Sequence, residues 1–181
     1  MSYFKSRGLR GSTFEEMINL TNEAYRDKKL ALIQKVPTSI TPVELSENAI
    51  SLAYFEKRST VDYIGVVQGI AICFDAKETG LKSFPLRNIH QHQLEFMIDF
   101  TAQKGVAFLI IRFAQTGETF LLPLETIINY VEQMKAGGRK SIPYDAFEKK
   151  YLIGSRQRFI VHYLEALDVY LSGGAPYHEC P

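Results

Sequence analysis

Two aspartates and a lysine provide the clearest chemistry in this sequence. Asp75 and Lys77 stand two residues apart in an apolar run typical of a β-strand, so both side chains point to one face of that strand. Asp62 lies upstream on a separate short β-type run, and Gln68-Gly69 between the two runs is typical of a hairpin turn. A hairpin there places Asp62 beside Asp75.

Two carboxylates at one point repel each other and therefore favour a cation between them. A hard divalent ion such as Mg²⁺ or Mn²⁺, which prefers oxygen ligands, is the natural partner. Lys77 then stands where a phosphate oxygen would bind the metal. The pattern indicates a metal-dependent nuclease, in which the ion polarises a phosphodiester and lowers the pKa of a bound water. A surface ion pair is the alternative for Asp75 and Lys77, because an Asp-x-Lys motif is common by chance.

Two further residues are candidate metal ligands. Thr60 lies two positions before Asp62 and shares its face if the strand is regular there. Gln93, near the start of a predicted helix, offers an amide oxygen from across the site. Together with the two aspartates they would supply an all-oxygen set of ligands.

The composition excludes several classes of protein. Of 181 residues, 46% are hydrophobic, and 21 basic against 20 acidic residues give a net charge of +1. The chain lacks a global basic excess, so DNA binding needs local clusters of positive charge. Two cysteines without a CxxC pattern indicate neither a disulfide framework nor a zinc site. No run approaches the ~20 apolar residues of a membrane span and the N-terminus has no signal core, so we expect no membrane partner and a cytoplasmic location.

The order of predicted elements is that of a mixed α/β protein. We expect helices from Ser12 or Thr13 to about 29, and at 92–104, 123–135 and 159–171. We expect strands at 30–36, 51–55, around Asp62 and Asp75, at 106–113 and at 119–122. They predict a single domain over 1–181, with a flexible basic arm at 1–12, an extended excursion at 38–53 and a loose tail at 172–181.

Six basic residues are candidate contacts to a sugar-phosphate backbone. They lie in the arm, in a polar loop at 82–88 and in a glycine-rich loop at 137–141: Arg7, Arg10, Lys82, Arg87, Arg139 and Lys140. The glycine-rich loop lacks the P-loop pattern. For all three segments a solvated tail or linker is the alternative.

Longer motifs resemble a known family. In chain order they are Asn19-x-Thr21-Asn22 with Tyr25, Lys35-x-Pro37-Thr38, Ser59-Thr60-x-Asp62-Tyr63-x-Gly65, Phe74-Asp75-Ala76-Lys77-Glu78-Thr79, Ser83-Phe84-Pro85-Leu86, His90-x-His92-Gln93 and Gly137-Gly138-Arg139-Lys140-Ser141-Ile142. Over about 7–171 the chain resembles the RecU family of Holliday junction resolvases.

The resemblance implies a restriction-endonuclease-like core, with a mixed central sheet flanked by helices and a short projecting stalk that matches the excursion at 38–53. It implies a homodimeric endonuclease with two sites that nick opposing strands of a four-way DNA junction in recombination and repair. The expected cofactor is Mg²⁺ or Mn²⁺, and recombination proteins are expected as further partners.

By position, the resemblance implies a role for six residues. Lys77 matches the residue that stabilises the transition state, and Glu15 in the first helix is expected near the site. The metal-binding positions are matched by Thr60, Asp62, Asp75 and Gln93.

The chain departs from the family pattern at three places, one of which is the loop between Lys77 and Gln93, shorter than usual by one residue. Asp75 stands where the family usually has glutamate, which bears on the choice of metal. The excursion at 38–53 is several residues shorter than the family's stalk, which bears on junction selectivity. Two other functions therefore remain: a nuclease that acts on plain duplex DNA, and a DNA-binding or strand-annealing protein with weak cleavage.

Overall fold

The computed structural model describes residues 8–37, 40–46, 49–55 and 60–173, with side chains at 13–37 and 60–173. Within these ranges the helices are α1 (Gly8–Asp27), α2 (Gln91–Ala102), α3 (Leu124–Lys135) and α4 (Tyr163–Leu171). The strands are β1 (Ala31–Lys35), β2 (Ile40–Ser46), β3 (Ala49–Phe55), β4 (Tyr63–Val67), β5 (Ile70–Thr79), β6 (Ser83–Pro85), β7 (Val106–Phe113), β8 (Thr119–Pro123), β9 (Ser141–Pro143) and β10 (Leu152–Ile153).

Six strands form a mixed central sheet in the order β1-β4-β5-β7-β8-β10. β5 and β7 are parallel, whereas the other neighbours are antiparallel. Because α2 connects two parallel strands, it runs back along the sheet, and its N-terminus lies near the C-terminal end of β5. The mixed α/β core with flanking helices that the sequence predicts is confirmed.

Alternation along β5 sends its side chains into two separate cores. Phe74 and Ala76 join residues of α1 and α4 on one side of the sheet, whereas Cys73 joins residues of α2 and α3 on the other. Since side chains two residues apart share a face, Asp75 and Lys77 lie on the α2 side. Both faces of β5 are therefore covered, which explains its nearly continuous apolar sequence.

The hairpin of β4 and β5 follows the prediction. Gln68 and Gly69 turn the chain with φ values of 49° and 89°, the left-handed region used by two-residue hairpin turns. The register pairs Tyr63 with Phe74, and their rings stack with centroids 4.7 Å apart. Gly65 lies so close to β1 that a Cβ there would be 2.2 Å from the nearest backbone oxygen. A glycine is therefore required where the two strands meet.

Motif residues of α1 fasten this helix to the sheet and to α4. Asn19 accepts a hydrogen bond from the hydroxyl of Tyr63 over 2.9 Å, and Asn22 accepts one from the hydroxyl of Tyr163 over 2.5 Å. The hydroxyl oxygen of Tyr25 accepts a hydrogen bond from the N–H of Leu164 over 3.4 Å. These buried polar contacts fix the position of α1 more specifically than apolar packing alone.

Two predicted helix boundaries are wrong. α1 begins at Gly8, so residues 8–12 of the predicted arm are helical; the Ser12/Thr13 cap signal lies inside the helix, and residues 1–7 lie outside the described part. α4 begins at Tyr163, four residues later than predicted. The residues before it are held in a turn, because Val161 N–H bonds to Thr21 Oγ1 and Phe159 stacks on His162.

The predicted excursion contains a separate two-stranded antiparallel sheet. β2 and β3 pair from Ile40 with Phe55 to Ser46 with Ala49, so the pairing extends two residues beyond the predicted end. Residues 38, 39, 47 and 48 and all side chains of this hairpin lie outside the described part. The predicted tail starts in the turn that follows α4, and residues 174–181 are also not described.

Candidate active site

Asp62 and Asp75 lie side by side, and each carboxylate accepts a hydrogen bond from a backbone N–H at or next to the other aspartate. The N–H of Asp62 donates to Asp75 Oδ1 over 2.7 Å, and the N–H of Ala76 donates to Asp62 Oδ2 over 3.0 Å. One oxygen of each carboxylate is thus held by the main chain. We call this pair of contacts the reciprocal clamp; it brings together the two aspartates that the sequence predicted to meet.

The second oxygen of Asp75 has an unusual environment. Asp75 is fully buried, and its Oδ2 lies 2.7 Å from Lys77 Nζ. Despite this contact, Oδ2 is the one buried side-chain oxygen or nitrogen of the described residues without a hydrogen bond of normal geometry. A buried carboxylate oxygen with an unfilled lone pair fits a hard divalent cation.

Burial, and then the like charge of Asp75, raise the pKa of Asp62. Burial and the neighbouring Asp75 carboxylate shift it from 3.8 to about 6, against the opposing effects of Lys77 and the Ala76 N–H. Because the folded-state pKa exceeds the ordinary value, ionised Asp62 destabilises the fold above pH 6, and this cost disappears as pH falls below 3.8. A bound cation would offset the same cost.

The structure gives less direct support to Thr60 and Gln93. Thr60 is exposed in a bend, and β4 begins only at Tyr63, so the regular strand assumed between Thr60 and Asp62 is absent. Gln93 is buried in the first turn of α2, where its side-chain oxygen accepts the N–H of His90 over 3.4 Å. An amide oxygen has a second lone pair, so this cap does not exclude a ligand role.

The aspartates have no third acidic or imidazole neighbour in the described part of the chain. Within it, no group of three or more His, Cys, Asp or Glu side chains is placed to hold a metal ion. Glu15, expected near the site, forms an ion pair with Lys35 at 2.5 Å, and its carbonyl oxygen accepts the hydroxyl of Tyr63 over 3.3 Å. A cation at the aspartates would need neutral oxygen ligands to complete its coordination.

Tyr63 supports the site, and sequence reasoning did not assign it a role. Its ring stacks on Phe74 and its hydroxyl is fixed by Asn19, while the carbonyl oxygen of Asp62 accepts the N–H of Val36 over 2.8 Å. The backbone that carries Asp62 is thereby held on both sides. The Asp62-Tyr63 dipeptide in the motif was the only sign in the sequence that Tyr63 belongs to the site. The contacts that give Tyr63 its role come from distant segments of the chain.

The two basic loops at 82–88 and 137–141, which are far apart in the sequence, lie next to each other in the structure. β6 pairs antiparallel with β9, Leu86 N–H donates to Lys140 O over 3.0 Å, and Tyr144 N–H donates to Lys82 O over 3.3 Å. The loop at 82–88 is less open than predicted, because Phe84 and Leu86 are buried in the α2 side of the core.

The exposed side chains of these loops form one positively charged surface, which we call the basic ridge. None of its four members forms an ion pair with a described residue: Lys82, Arg87, Arg139 and Lys140. The ridge begins just after the strand that carries Asp75 and Lys77, and Thr79 Oγ1 contacts Ser83 O at 3.5 Å. Arg7 lies outside the described part; Arg10 lies on α1, with its side chain outside it.

Comparison with known proteins identifies the family. The family model described as Recombination protein U matches residues 9–169. The chain belongs to the RecU family. A Holliday junction resolvase RecU from Geobacillus sp. (strain WCH70) is 44% identical over 148 residues, 78% of this chain and 74% of that protein. Another from Leuconostoc citreum (strain KM20) is 41% identical over 170 residues, 90% of this chain and 82% of that protein.

A solved structure is also similar at low identity. It is Hjc from Archaeoglobus fulgidus, described as a Holliday junction resolvase from an archaeal hyperthermophile, with a TM-score of 0.41 and 9% identity over 64% of this chain and 74% of that one. Among the described residues of this RecU-family chain, no helix is long and apolar enough to cross a bilayer.

The RecU motifs of this chain divide into chemical and architectural residues. Asp62, Asp75 and Lys77 form the charged cluster. Asn22 fastens α1 to α4, and Gly65 permits the close approach of β1 and β4. The family resemblance read from the sequence is therefore confirmed, and the structure shows which motif residues build the scaffold.

The raised pKa of Asp62 leads to a prediction about stability. In EDTA at pH 7.5, Asp62→Asn should raise the melting temperature by about 2–6 °C, a gain of about 1–2 kcal/mol, because it removes a charge that the folded state resists. The gain should shrink at pH 5, where Asp62 of the parent protein is mostly protonated.

Differential scanning calorimetry at both pH values provides the measurement. Asp145→Asn, at an exposed aspartate outside the cluster, is the matched control and should change the melting temperature little at either pH. A lower melting temperature for Asp62→Asn at pH 7.5 would contradict the proposed repulsion.

Proposed function

We propose that this chain is a divalent-metal-dependent endonuclease that resolves four-way DNA junctions by paired nicks during recombination and repair. The observation that carries the proposal is the buried, unsatisfied oxygen of Asp75 beside Asp62 and Lys77. The names of its relatives, Holliday junction resolvases at 41–44% identity, support branched DNA as the substrate.

The residues that would hold the metal are Asp62 and Asp75, with Thr60 and Gln93 as neutral oxygen donors. When bound, Mg²⁺ or Mn²⁺ would polarise the scissile phosphate and lower the pKa of a bound water. Because Asp75 replaces the glutamate usual in the family, its carboxylate lies one methylene closer to β5. The reciprocal clamp keeps this shorter side chain in one orientation, which favours a defined metal geometry.

Lys77 and the basic ridge act on the DNA itself. The ammonium group of Lys77 would stabilise negative charge that develops on the phosphate in the transition state. The ridge would hold the sugar-phosphate backbone that leads to the site, while contributing little sequence specificity. This division fits a chain with a net charge of only +1, because four basic residues without ion pairs in the described part of the chain lie on two adjacent loops.

A homodimer with two-fold symmetry would place one site on each of two opposing strands. A four-way junction has near two-fold symmetry, and both nicks must be made before the DNA dissociates, so a C2 dimer suits the substrate. The β2–β3 hairpin is proposed as a stalk that enters the open centre of the junction. Recombination proteins are proposed as further partners, and the cytoplasm as the place of action.

The first test of this function is cleavage. Asp62→Asn and Asp75→Asn should each abolish nicking of a synthetic four-way junction with Mg²⁺ while changing junction affinity less than about threefold, because affinity comes mainly from phosphate contacts. Lys77→Ala should slow nicking by about 10²–10³-fold, the scale of one lost stabilising donor.

Gel-resolved nicking of a junction and of a linear duplex built from the same strands separates the rival functions. Equal rates on both substrates would favour a duplex nuclease, and metal-independent strand annealing without nicking would favour a binding protein. Asp145→Asn, outside the site, should retain the parent rate.

The second test concerns the basic ridge. Replacing Lys82, Arg87, Arg139 and Lys140 with glutamine should weaken binding to junction and duplex alike. It should reduce the slope of log K against log salt by about one unit for each phosphate that is no longer neutralised. Fluorescence anisotropy at several salt concentrations gives the slope. Lys104→Gln, at an exposed lysine at the end of α2, is the control, and an unchanged slope in the quadruple variant would reduce the ridge to a solvated surface.

The third test concerns the hairpin and the dimer. Since Thr41 pairs with Tyr54, residues 41–54 can be excised and Ile40 joined to Phe55 through Gly-Gly. The variant should keep its melting temperature within about 3 °C and retain nicking, but lose its preference for junction over duplex. Light scattering should show a dimer of the parent protein at assay concentration. A monomer there, or a variant that still prefers junctions, would contradict this part of the proposal.

A further inference from the structure

Lys77 occupies the oxygen of Asp75 that a metal ion would need. Asp75 Oδ1 already accepts the N–H of Asp62, whereas Oδ2 accepts no hydrogen bond of normal geometry, so Oδ2 is the oxygen of this carboxylate with the most room for a cation. Lys77 Nζ lies 2.7 Å from that atom, and the Lys77 side chain is 18% exposed. The ammonium therefore stands beside the oxygen that a cation would bind.

The reciprocal clamp leaves few other ways to bind a cation. Asp62 Oδ2 is bound to the N–H of Ala76, which leaves Asp62 Oδ1 and Asp75 Oδ2 as the two unclamped oxygens. An ammonium and a divalent ion that both contact Oδ2 repel each other strongly in a buried, low-dielectric site. Each therefore weakens the binding of the other.

We propose that Lys77 is a resident counter-ion that a divalent cation displaces from Asp75, and that displacement delivers the ammonium to the DNA phosphate. This inference rests on the proposed metal-dependent function. Without metal, Lys77 neutralises the buried Asp75 carboxylate, which could not otherwise remain charged at low cost. With metal, its flexible four-carbon stem carries the charge outwards.

The geometry of the pair distinguishes this role from a purely structural ion pair. A buried ion pair that stabilises a fold completes its hydrogen bonds, because only then does attraction repay the loss of solvation. Here Oδ2 has the charge contact but no hydrogen bond of normal geometry. The contact neutralises charge without filling the lone pair of Oδ2, so a better ligand partner can replace it.

The test is metal binding by a variant that has the shape of lysine without its charge. Isothermal calorimetry with Mg²⁺ and Ca²⁺, without DNA, should show that Lys77→Met binds at least about tenfold more tightly than the parent protein, because no competing cation remains. In EDTA the same variant should melt at a lower temperature than the parent. Added metal should remove this difference in melting temperature. Lys77→Gln, which keeps a polar group near Oδ2, is the second variant and should shift both quantities in the same direction.

Two controls make the outcome specific. Lys104→Met removes an exposed lysine at the end of α2, outside the site, and should change neither metal affinity nor the response to metal. Asp75→Asn in the Lys77→Met background should recover the melting temperature in EDTA and lose the response to metal.

Unchanged or weaker metal binding by Lys77→Met and Lys77→Gln would overturn the exchange. So would a loss of melting temperature that metal does not restore, which would make the pair structural. If the parent protein nicks DNA with Mg²⁺ while the variants bind metal with unchanged affinity, the displacement of Lys77 is wrong but the proposed nuclease function stands. If the parent neither binds metal nor nicks, the proposed function fails as well.

Discussion

The repulsion between Asp62 and Asp75 is the constraint on which the site depends. Two carboxylates are held together by main-chain hydrogen bonds from Asp62 and Ala76, although burial and like charge raise the pKa of Asp62. A flexible chain would separate them. The fold must therefore supply enough rigidity to keep an unfavourable arrangement, as is common where strain or charge serves chemistry.

That rigidity comes from the two cores on either side of the central sheet. Phe74 and Ala76 face α1 and α4, while Cys73 faces α2 and α3, so β5 cannot shift without disturbing both cores. The backbone before β4 is held by Tyr63, whose hydroxyl binds Asn19 on α1. Helix α1, the β4–β5 hairpin and the reciprocal clamp are thus packed into one rigid part of the fold. Contacts far from the two carboxylates therefore help to offset the free energy of holding them together.

The same part of the fold positions the surface that we propose for DNA binding. α2 crosses from β5 to β7 and places Gln93 near the end of β5, and the pairing of β6 with β9 joins two basic loops beside it. The charged cluster is small, with Asp75 buried and Asp62 and Lys77 half-buried, whereas the ridge is exposed and lacks acidic partners in the described part of the chain. In the proposed function, chemistry and DNA binding therefore belong to different groups, which suits recognition of backbone rather than base sequence.

The sequence by itself determined where the strands at the centre of the sheet lie and that the two aspartates meet. Alternation along 70–79, the turn at Gln68-Gly69 and the apolar run at 106–113 are local signals, and all three match the structure. Family motifs were likewise readable, because they are short runs of adjacent residues. The starts of α2 and α3 were also readable to within one residue, whereas those of α1 and α4 were not. The turn before α4 is held by Thr21, more than a hundred residues away.

Only the tertiary structure decided how separate segments meet. The unsatisfied oxygen of Asp75, the contact of Lys77 with it and the joining of the two basic loops all depend on distances between atoms in different elements. A sequence records which groups are present and on which face of an element they lie. It does not record which lone pairs are already filled, because hydrogen bonding in a folded chain is settled by three-dimensional packing.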